Sequence, residues 1–405
     1  MFRTKALLGV LFFVSVASIS NAADIIYVDV NGPNTPGTGS YEDPFRRIQD
    51  AIDSADSNDT VIVAEGVYTG DPNNRDLHLD GKTITIRSTD PNDPNVVANT
   101  IIDPNHLGRS FYFHSGEDAN CVVAGFTLQN GATDGSGGAM YCLDSSPTIR
   151  NCVIIKNTAI WSGGGIYFNN SESTIRNCII GGNSALATGG GIRCASCNNL
   201  AIINCTISGN STTEWQQGEG IYCFDSTVSI NNSIIWGNGL EQIHDATGGD
   251  ATVTYSDVQN GWPGSGNIDG DPCFASFDPN GDPNMWDFHL QSAYGRCDPN
   301  NQTWVTDSNT SPCIDAGDPN SDWGDEPWPN GKRINMGAYG GTNQASMNGN
   351  PADFDIDGSV NFVDFAEFSN KWLTQESCIH DLGRDGVVDF ADLRMFAENW
   401  LWQRE

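Results

Sequence analysis

The segment Asn151-Cys-Val-Ile-Ile-Lys-Asn157 followed by Gly163-Gly-Gly-Ile-Tyr-Phe168 constrains this chain more than any other, because it recurs. It returns as Asn177-Cys-Ile-Ile-Gly-Gly-Asn183 with Gly189-Gly-Gly-Ile-Arg-Cys194, and as Asn204-Cys-Thr-Ile-Ser-Gly-Asn210 with Gly218-Glu-Gly-Ile-Tyr-Cys223. A weaker copy is Asn232-Ser-Ile-Ile-Trp-Gly-Asn238 with Gly248-Gly-Asp-Ala-Thr-Val253. The second Asn falls at 157, 183, 210 and 238, so the steps are 26, 27 and 28 residues. A near-constant period of this size specifies a solenoid.

Each unit holds three short apolar-alternating strands: one after the Gly run, one before the first Asn and one after it. Such a unit cannot bury its inner face alone, so it stacks on its neighbours roughly 4.8 Å apart. Asn151, Asn177, Asn204 and Asn232 are expected to stack at one corner as an amide ladder. The Gly runs supply bends and close backbone approach.

Twelve cysteines would ordinarily suggest a disulfide framework in an exported chain. Half of them follow the repeat instead. Cys152, Cys178 and Cys205 share one place, and Cys142, Cys194 and Cys223 another, with Phe168 filling the gap in the second column. Alternation with Ile154, Ile180 and Ile207, or with Met140, Ile166, Ile192 and Ile221, puts both columns on inward strand faces, where free Cys acts as a small apolar residue. Cys273, Cys297 and Cys313 lie outside the repeat and are the better disulfide candidates, 297 to 313 first. Cys194 to Cys197 is half a zinc motif without a second half.

Residues 1–22, a charged start, an apolar stretch and Ser20-Asn-Ala22, read as a secretory signal. The rest has no run of membrane length, so the expectation is an exported protein without membrane insertion, secreted or held at the cell surface. The net charge of −32 argues against nucleic acid and anionic membrane as partners. Much of that acid sits in Asp-Pro-Asn turns beginning at 71, 90, 103, 278, 298 and 318. Ahead of the regular repeat, Ile25 to Asp29 reads as a strand and Ser40 to Ser57 as a short amphipathic helix that caps the open end. Short strands follow at 60–64, 77–79, 83–87, 100–102, 111–113 and 122–128.

A different module follows a linker at 346–352 in an Asn-, Ser- and Gly-rich stretch. Asp353, Asp355, Asp357, Asn361 and Asp364 put side-chain oxygens at loop positions 1, 3, 5, 9 and 12. Gly358 stands at position 6, and Ser359 offers its carbonyl at 7. That spacing wraps a chain around a hard cation needing six to eight oxygens. A second loop begins 28 residues later with Asp381, Asp385, Val387 through its carbonyl, Asp389 and Asp392. Gly383 removes one ligand there, so of up to two Ca2+ sites the second is the weaker. The apolar helix positions Phe365, Phe368, Trp372 and Leu373 repeat as Leu393, Phe396, Trp400 and Leu401.

Residues 23–345 resemble the right-handed parallel β-helix proteins of the pectin-lyase-like superfamily. Residues 353–405 resemble a type I dockerin, the duplicated calcium module that binds cohesin domains. The resemblance implies an all-β, right-handed parallel β-helix solenoid followed by a small all-α calcium-binding dockerin-like domain. It also implies a polysaccharide and a cohesin-like protein module as partners. Phe362-Val363 and Phe390-Ala391 occupy the places of a dockerin's partner-reading residues and are more apolar than the usual hydroxyl pairs.

Variable stretches between the second Asn and the Gly run should line up along one edge. They carry Asp134, Ile160-Trp161, Glu214-Trp215-Gln216-Gln217 with Glu219, and Glu241 with His244-Asp245. Trp161, Trp215 and Gln216 are candidate sugar-binding residues, since a flat ring covers a sugar face while polar groups fix its hydroxyls; loop packing of the two tryptophans is the other reading. Glu214, Asp245 and His244 are the candidate catalytic groups, a carboxylate pair being what glycoside hydrolysis requires. The polygalacturonase and pectate-lyase signatures are absent, and Arg150 and Arg176 read as repeat copies on an outer strand face. Two functions remain open: a carbohydrate-active or carbohydrate-binding protein, as an enzyme a polysaccharide lyase or glycoside hydrolase, or a non-catalytic surface or adhesion protein with the solenoid as spacer.

Overall fold

The computed structural model describes residues 23–33, 37–214, 217–301, 303–375, 379–383 and 386–403. The signal-peptide reading of residues 1–22 lies outside them, as do Trp215, Gln216 and Asp385.

Parallel strands coil into a solenoid with four sheets. Sheet I has nine strands, from Ile25–Val28 to Asp250–Thr254; sheet II has eight, from Gly66–Thr69 to Asp257–Val258. Sheet III has six, from Phe111–Phe113 to Ile243–Asp245. A typical coil runs Met140–Leu143 in sheet III, Thr148–Arg150 in sheet I and Val153–Ile155 in sheet II. It then adds Thr158–Ala159, one of four two-residue strands that form sheet IV. The three-strand expectation missed sheet IV because two residues are too few to show an alternation.

Register follows the repeat. Met140, Ile166, Ile192 and Ile221 are Cα partners in succession, as are Cys142, Phe168, Cys194 and Cys223. All eight are fully buried. Cys152, Cys178 and Cys205 point inward from the corner before sheet II rather than from within a strand. All eleven described cysteines are free thiols. The 297–313 disulfide is therefore not formed: Cys313 is buried and donates its thiol to Asp257 Oδ2 at 3.1 Å, while Cys297 sits in a separate hairpin.

The two Asn columns divide the work differently from the expectation. The ladder belongs to the second column. Asn157 Nδ2 donates to Asn183 Oδ1, Asn183 to Asn210 and Asn210 to Asn238, at 3.0, 3.0 and 2.9 Å, and Asn238 ends the run on Gln242. Asn151, Asn177, Asn204 and Asn232 instead turn the corner between sheets I and II with φ of 50–53°, a conformation Asn tolerates better than most residues. Their side chains mostly reach sideways: Asn177 donates to the Ala338 and Gly340 carbonyls, Asn204 to Gly340 and Asn232 to Ser321. One contact between them, Asn232 to Asn204, is 3.4 Å long.

Those partners belong to a segment that covers sheet II. The parallel coils stop at Val258; residues 274–345, which the sequence reading ran on with the solenoid, lie along its side. Phe274, Phe288, Leu290 and Met336 pack with Ile179 and Ile234. Trp286 lies over Gly181, Gly182 and Gly209, where a Cβ at Gly209 would come within 2.4 Å of its ring. At the other end, helix α1 (Ile48–Ser54) buries Ile48, Ala51 and Ile52 in the solenoid core and so caps it, within the range expected from sequence. Helix α2 (Pro94–Asn99), started by Asp93 as N-cap, went unread because its pattern is a single turn and a half.

All eight Asp-Pro-Asn segments, those beginning at 93 and 282 included, form the same turn: the Asp carboxylate accepts the N–H of the Asn two residues on. These carboxylates do local structural work. No described helix is long and apolar enough to cross a membrane.

Candidate functional site

With sheet II covered, sheet III keeps a solvent-facing column that the repeat builds automatically. In each coil a Gly with positive φ (Gly137, Gly163, Gly189, Gly218) turns the chain into the strand. A Cβ there would lie 2.2–2.5 Å from a carbonyl oxygen of that strand. The next strand residue but one then points outward, and stacking puts Tyr112, Tyr141, Tyr167, Arg193, Tyr222 and His244 in one file.

Ring centroids are 5.5 Å apart for Tyr112–Tyr141, 4.9 Å for Tyr141–Tyr167 and 5.1 Å for Tyr222–His244. The Arg193 guanidinium fills the gap, 5.7 Å from the Tyr167 ring and 4.8 Å from Tyr222. It donates to Thr188 Oγ1 and has no carboxylate in ion-pairing reach among the described residues. Arg109 lies over Tyr112 and Tyr141, held by the Ser136 carbonyl and Asp76. Burial raises the Tyr141 phenol above its usual range, so it stays a neutral donor at physiological pH. The rings lie face to face along the file, so its outer side is a line of ring edges and phenol oxygens with two cations, and Tyr222 is buried within it. It can hydrogen-bond and make edge contacts along a ligand laid over it. Sequence reasoning passed over it because each Tyr looked like an ordinary strand residue; its recurrence at one repeat position was the available signal.

The residues expected along the insertion edge are placed as follows. Trp161 is 63% exposed, just after sheet IV, and its backbone continues the coil-to-coil hydrogen bonding. Glu214 is exposed at the corresponding place two coils on. His244 and Asp245 are not on that edge but in the last strand of sheet III. His244 Nδ1 lies 2.8 Å from Glu241 Oε2, and Asp245 Oδ2 accepts the Ala251 N–H at 3.1 Å. No hydrogen bond among the described residues joins Glu214 to either. Glu219 is buried and braces the loop by accepting the Leu240 and Glu241 N–H groups. Arg150 and Arg176 are lateral partners on sheet I.

The C-terminal module forms a second site. In each loop a glycine with φ near 90°, Gly358 or Gly386, makes the sharp turn. A capping box then starts the helix: Asn361 with Asp364 for α3 (Phe362–Asn370), and Asp389 with Asp392 for α4 (Phe390–Glu398). Ligand oxygens of Asp353, Asp355 and Asp364 lie within 4.8 Å of one another. Burial raises the Asp353 carboxyl, and the neighbouring Asp364 and Asp355 charges raise it further. Three converging carboxylates with no cationic side chain among them form an all-oxygen set suited to a hard divalent cation. Asp357 accepts the Ser359 N–H, Asn361 reaches the Ser359 carbonyl, and Asp357 and Gly358 donate to Asp353. In the second loop Gly386 donates to Asp381 and Gly383 to Asp392, matching the Gly358 to Asp353 and Asp355 to Asp364 bonds of the first, with Gly383 standing where the first loop has a carboxylate. Val387 follows Gly386 as Ser359 follows Gly358. Phe362 (77% exposed) and Phe390 (76%) start the two helices, each ring packed edge-on against a Trp of the other repeat, Trp400 and Trp372. The module rests on the covering segment through Trp328, whose Nε1 donates to the Pro351 carbonyl.

The family described as "Right handed beta helix region" matches residues 84–258. A Bacillus subtilis (strain 168) protein, "Uncharacterized protein YwoF", is 24% identical over 127 residues, covering 31% of this chain. The chain spans only 26% of that relative's length. The crystal structure of pectate lyase Pel9A is similar with a TM-score of 0.47 and 14% identity, over 81% of this chain and 97% of that one. The all-parallel register of the coils makes residues 25–258 a parallel β-helix solenoid, and the similarity to the right-handed β-helix family covers residues 84–258 of it.

Proposed function

We propose that this chain is an exported carbohydrate-binding β-helix that lays an extended polysaccharide along the outer file of sheet III. The observation that supports this most is the uninterrupted run Tyr112, Tyr141, Tyr167, Arg193, Tyr222 and His244, at spacings of about one coil. A sugar chain advances per residue by nearly the roughly 4.8 Å rise of stacked strands, so successive rings meet successive side chains. Binding, rather than cleavage, is what this file supports; Glu214, Asp245 and His244 are the groups to test for lyase or hydrolase chemistry. In the C-terminal module, Ca2+ would be held by Asp353, Asp355, Asp357, Asn361, Asp364 and the Ser359 carbonyl. Asp381, Asp385, Asp389, Asp392 and the Val387 carbonyl would hold a second, weaker ion. The ion supplies the charge balance that lets these carboxylates converge. The loaded module presents Phe362 and Phe390 to a cohesin-like partner.

Affinity electrophoresis across a panel of neutral and uronate polysaccharides tests the binding. Each phenol, through its hydrogen bond and edge contact to the sugar, is worth about 1 kcal/mol. The Tyr167→Ala/Tyr222→Ala double variant should therefore weaken retardation by about tenfold or more. Retardation equal to the parent on every retarding polysaccharide would sink this reading.

A further inference from the structure

A cleft lies where the turn between sheets I and II at residues 90–95 meets the covering segment. Its volume is about 350 Å3, within the range of small-molecule sites. Trp304 forms one wall, 37% exposed, with no ring contact among the described residues. Asn92, Asn343 and Gln344 contribute amides, and Asp90 and Asp93 carboxylates.

The walls are held from behind. Asn92 Oδ1 accepts from Asn151 at 3.0 Å, tying the turn to the first Asn column. Gln344 Oε1 lies 3.2 Å from Nε2 of the buried His289, which stacks on Tyr339 at 3.7 Å and pairs with Asp287. Arg296 on the Trp304 hairpin is fixed by Asp307 at 3.0 Å. Asp90 and Asp93 each spend one oxygen on a local turn, to Asn92 and Asn95. Their other oxygens make no hydrogen bond among the described residues.

We propose that this cleft is a separate binding site for a neutral saccharide, one sugar ring stacking on Trp304 while the Asn92, Asn343 and Gln344 amides and the Asp90 and Asp93 carboxylates take its hydroxyls. A flat ring beside groups that both donate and accept is matched to an uncharged polyol ring. No Lys or Arg lines the cleft, and two carboxylates do, so an anionic sugar is repelled. Sheet III, with Arg193 in its file and Arg109 over Tyr112 and Tyr141, has no such bias against anionic sugars. The site goes beyond the sheet III reading and shares with it only the class of ligand.

Isothermal titration with neutral hexasaccharides of β-1,4-glucan, β-1,4-mannan and β-1,4-xylan, and with an oligogalacturonate, tests it in the full chain. Trp304→Ala, on an exposed hairpin, should weaken at least one neutral hexasaccharide tenfold or more. Asn343→Ala should weaken it several-fold, and Tyr167→Ala/Tyr222→Ala should leave that binding intact. Oligogalacturonate affinity should not depend on Trp304. The proposal is overturned if no neutral hexasaccharide binds at millimolar concentration, or if Trp304→Ala binds as the parent does. It is also overturned if the sheet III double variant alone abolishes neutral binding, a result that would leave the sheet III reading standing. Loss of neutral binding in Trp304→Ala with weakening of oligogalacturonate alone in the double variant would leave both readings standing, and loss in Trp304→Ala with every affinity of the double variant unchanged would leave only the cleft.

Discussion

Replacing Asn183 by Ala should break the solenoid interior, whereas replacing Asn177 by Gly should loosen only its cover. Asn183 is fully buried. Its Oδ1 accepts both the Asn157 backbone N–H and Asn157 Nδ2 at 3.0 Å, and its Nδ2 donates to the Ile154 carbonyl at 2.9 Å and to Asn210 at 3.0 Å. Asn157 Nδ2 keeps the Leu128 and Ile155 carbonyls, and Asn210 Oδ1 keeps the Asn183 N–H. The Asn157 N–H and the Ile154 acceptor face the loss. An unsatisfied buried group costs about 1–3 kcal/mol, so the substitution should cost about 3–4 kcal/mol in all. Asn177→Gly keeps a residue suited to φ of 50° and loses two hydrogen bonds to Ala338 and Gly340, worth about 1–2 kcal/mol. Urea unfolding gives the sizes, and hydrogen exchange gives the place: faster exchange around 154–185 for Asn183→Ala, and around 338–340 for Asn177→Gly. A cost below about 1 kcal/mol for Asn183→Ala, or equal effects at the same amides, would refute the division of roles between the two columns.

Burial pushes the Asp257 carboxyl from 3.8 up to about 7, against the Cys313 thiol and Gly270 N–H that bond to it. A carboxyl raised in the folded state stabilises fully below pH 3.8, and this contribution is lost as pH rises through about 7. At 1.36 kcal/mol per unit that loss approaches about 4 kcal/mol, so Asp257→Asn should be about 2–3 kcal/mol more stable than the parent at pH 8, allowing for one lost acceptor. The gain should vanish by pH 4 in thermal melts. Glu326, buried and likewise pushed up to about 7, leaves a residual slope of the same sign. Trp286→Ala should cost about 2–3 kcal/mol, less than a fully buried aromatic because the ring is half exposed, and should release the covering segment to proteolysis before the coils. Chelation should unfold residues 353–402, read by the fluorescence of Trp372, Trp400 and Trp402, while far-UV dichroism of the solenoid persists. Asp353→Ala should lower calcium affinity more than Asp381→Ala, and an unchanged titration in both would count against the calcium assignment.

The period, the inward columns and the duplicated loops were legible in the sequence because each is a local rule repeated. A strand's alternation fixes which side chain faces in, and stacking identical coils fixes their register without distant partners. Sheet IV and α2 were not legible, since two residues or one short turn carry no period. The sequence could not say which Asn column forms the ladder. That depends on which corner is closed and which carries a positive φ, and both columns offer the same amide. Cys313 looked like half of a disulfide until the fold set it against Asp257. Tyr112, Tyr141, Tyr167 and Tyr222 became a single surface, and Trp304 came to face Asn92, only when coils and cover met in space. Sequence alone determined the solenoid and the spacing of the two acidic loops, because each is a local pattern repeated along the chain. Tertiary structure decided which faces stay open, because the segment that closes sheet II packs across residues from 40 to 163 positions away and shares no pattern with them.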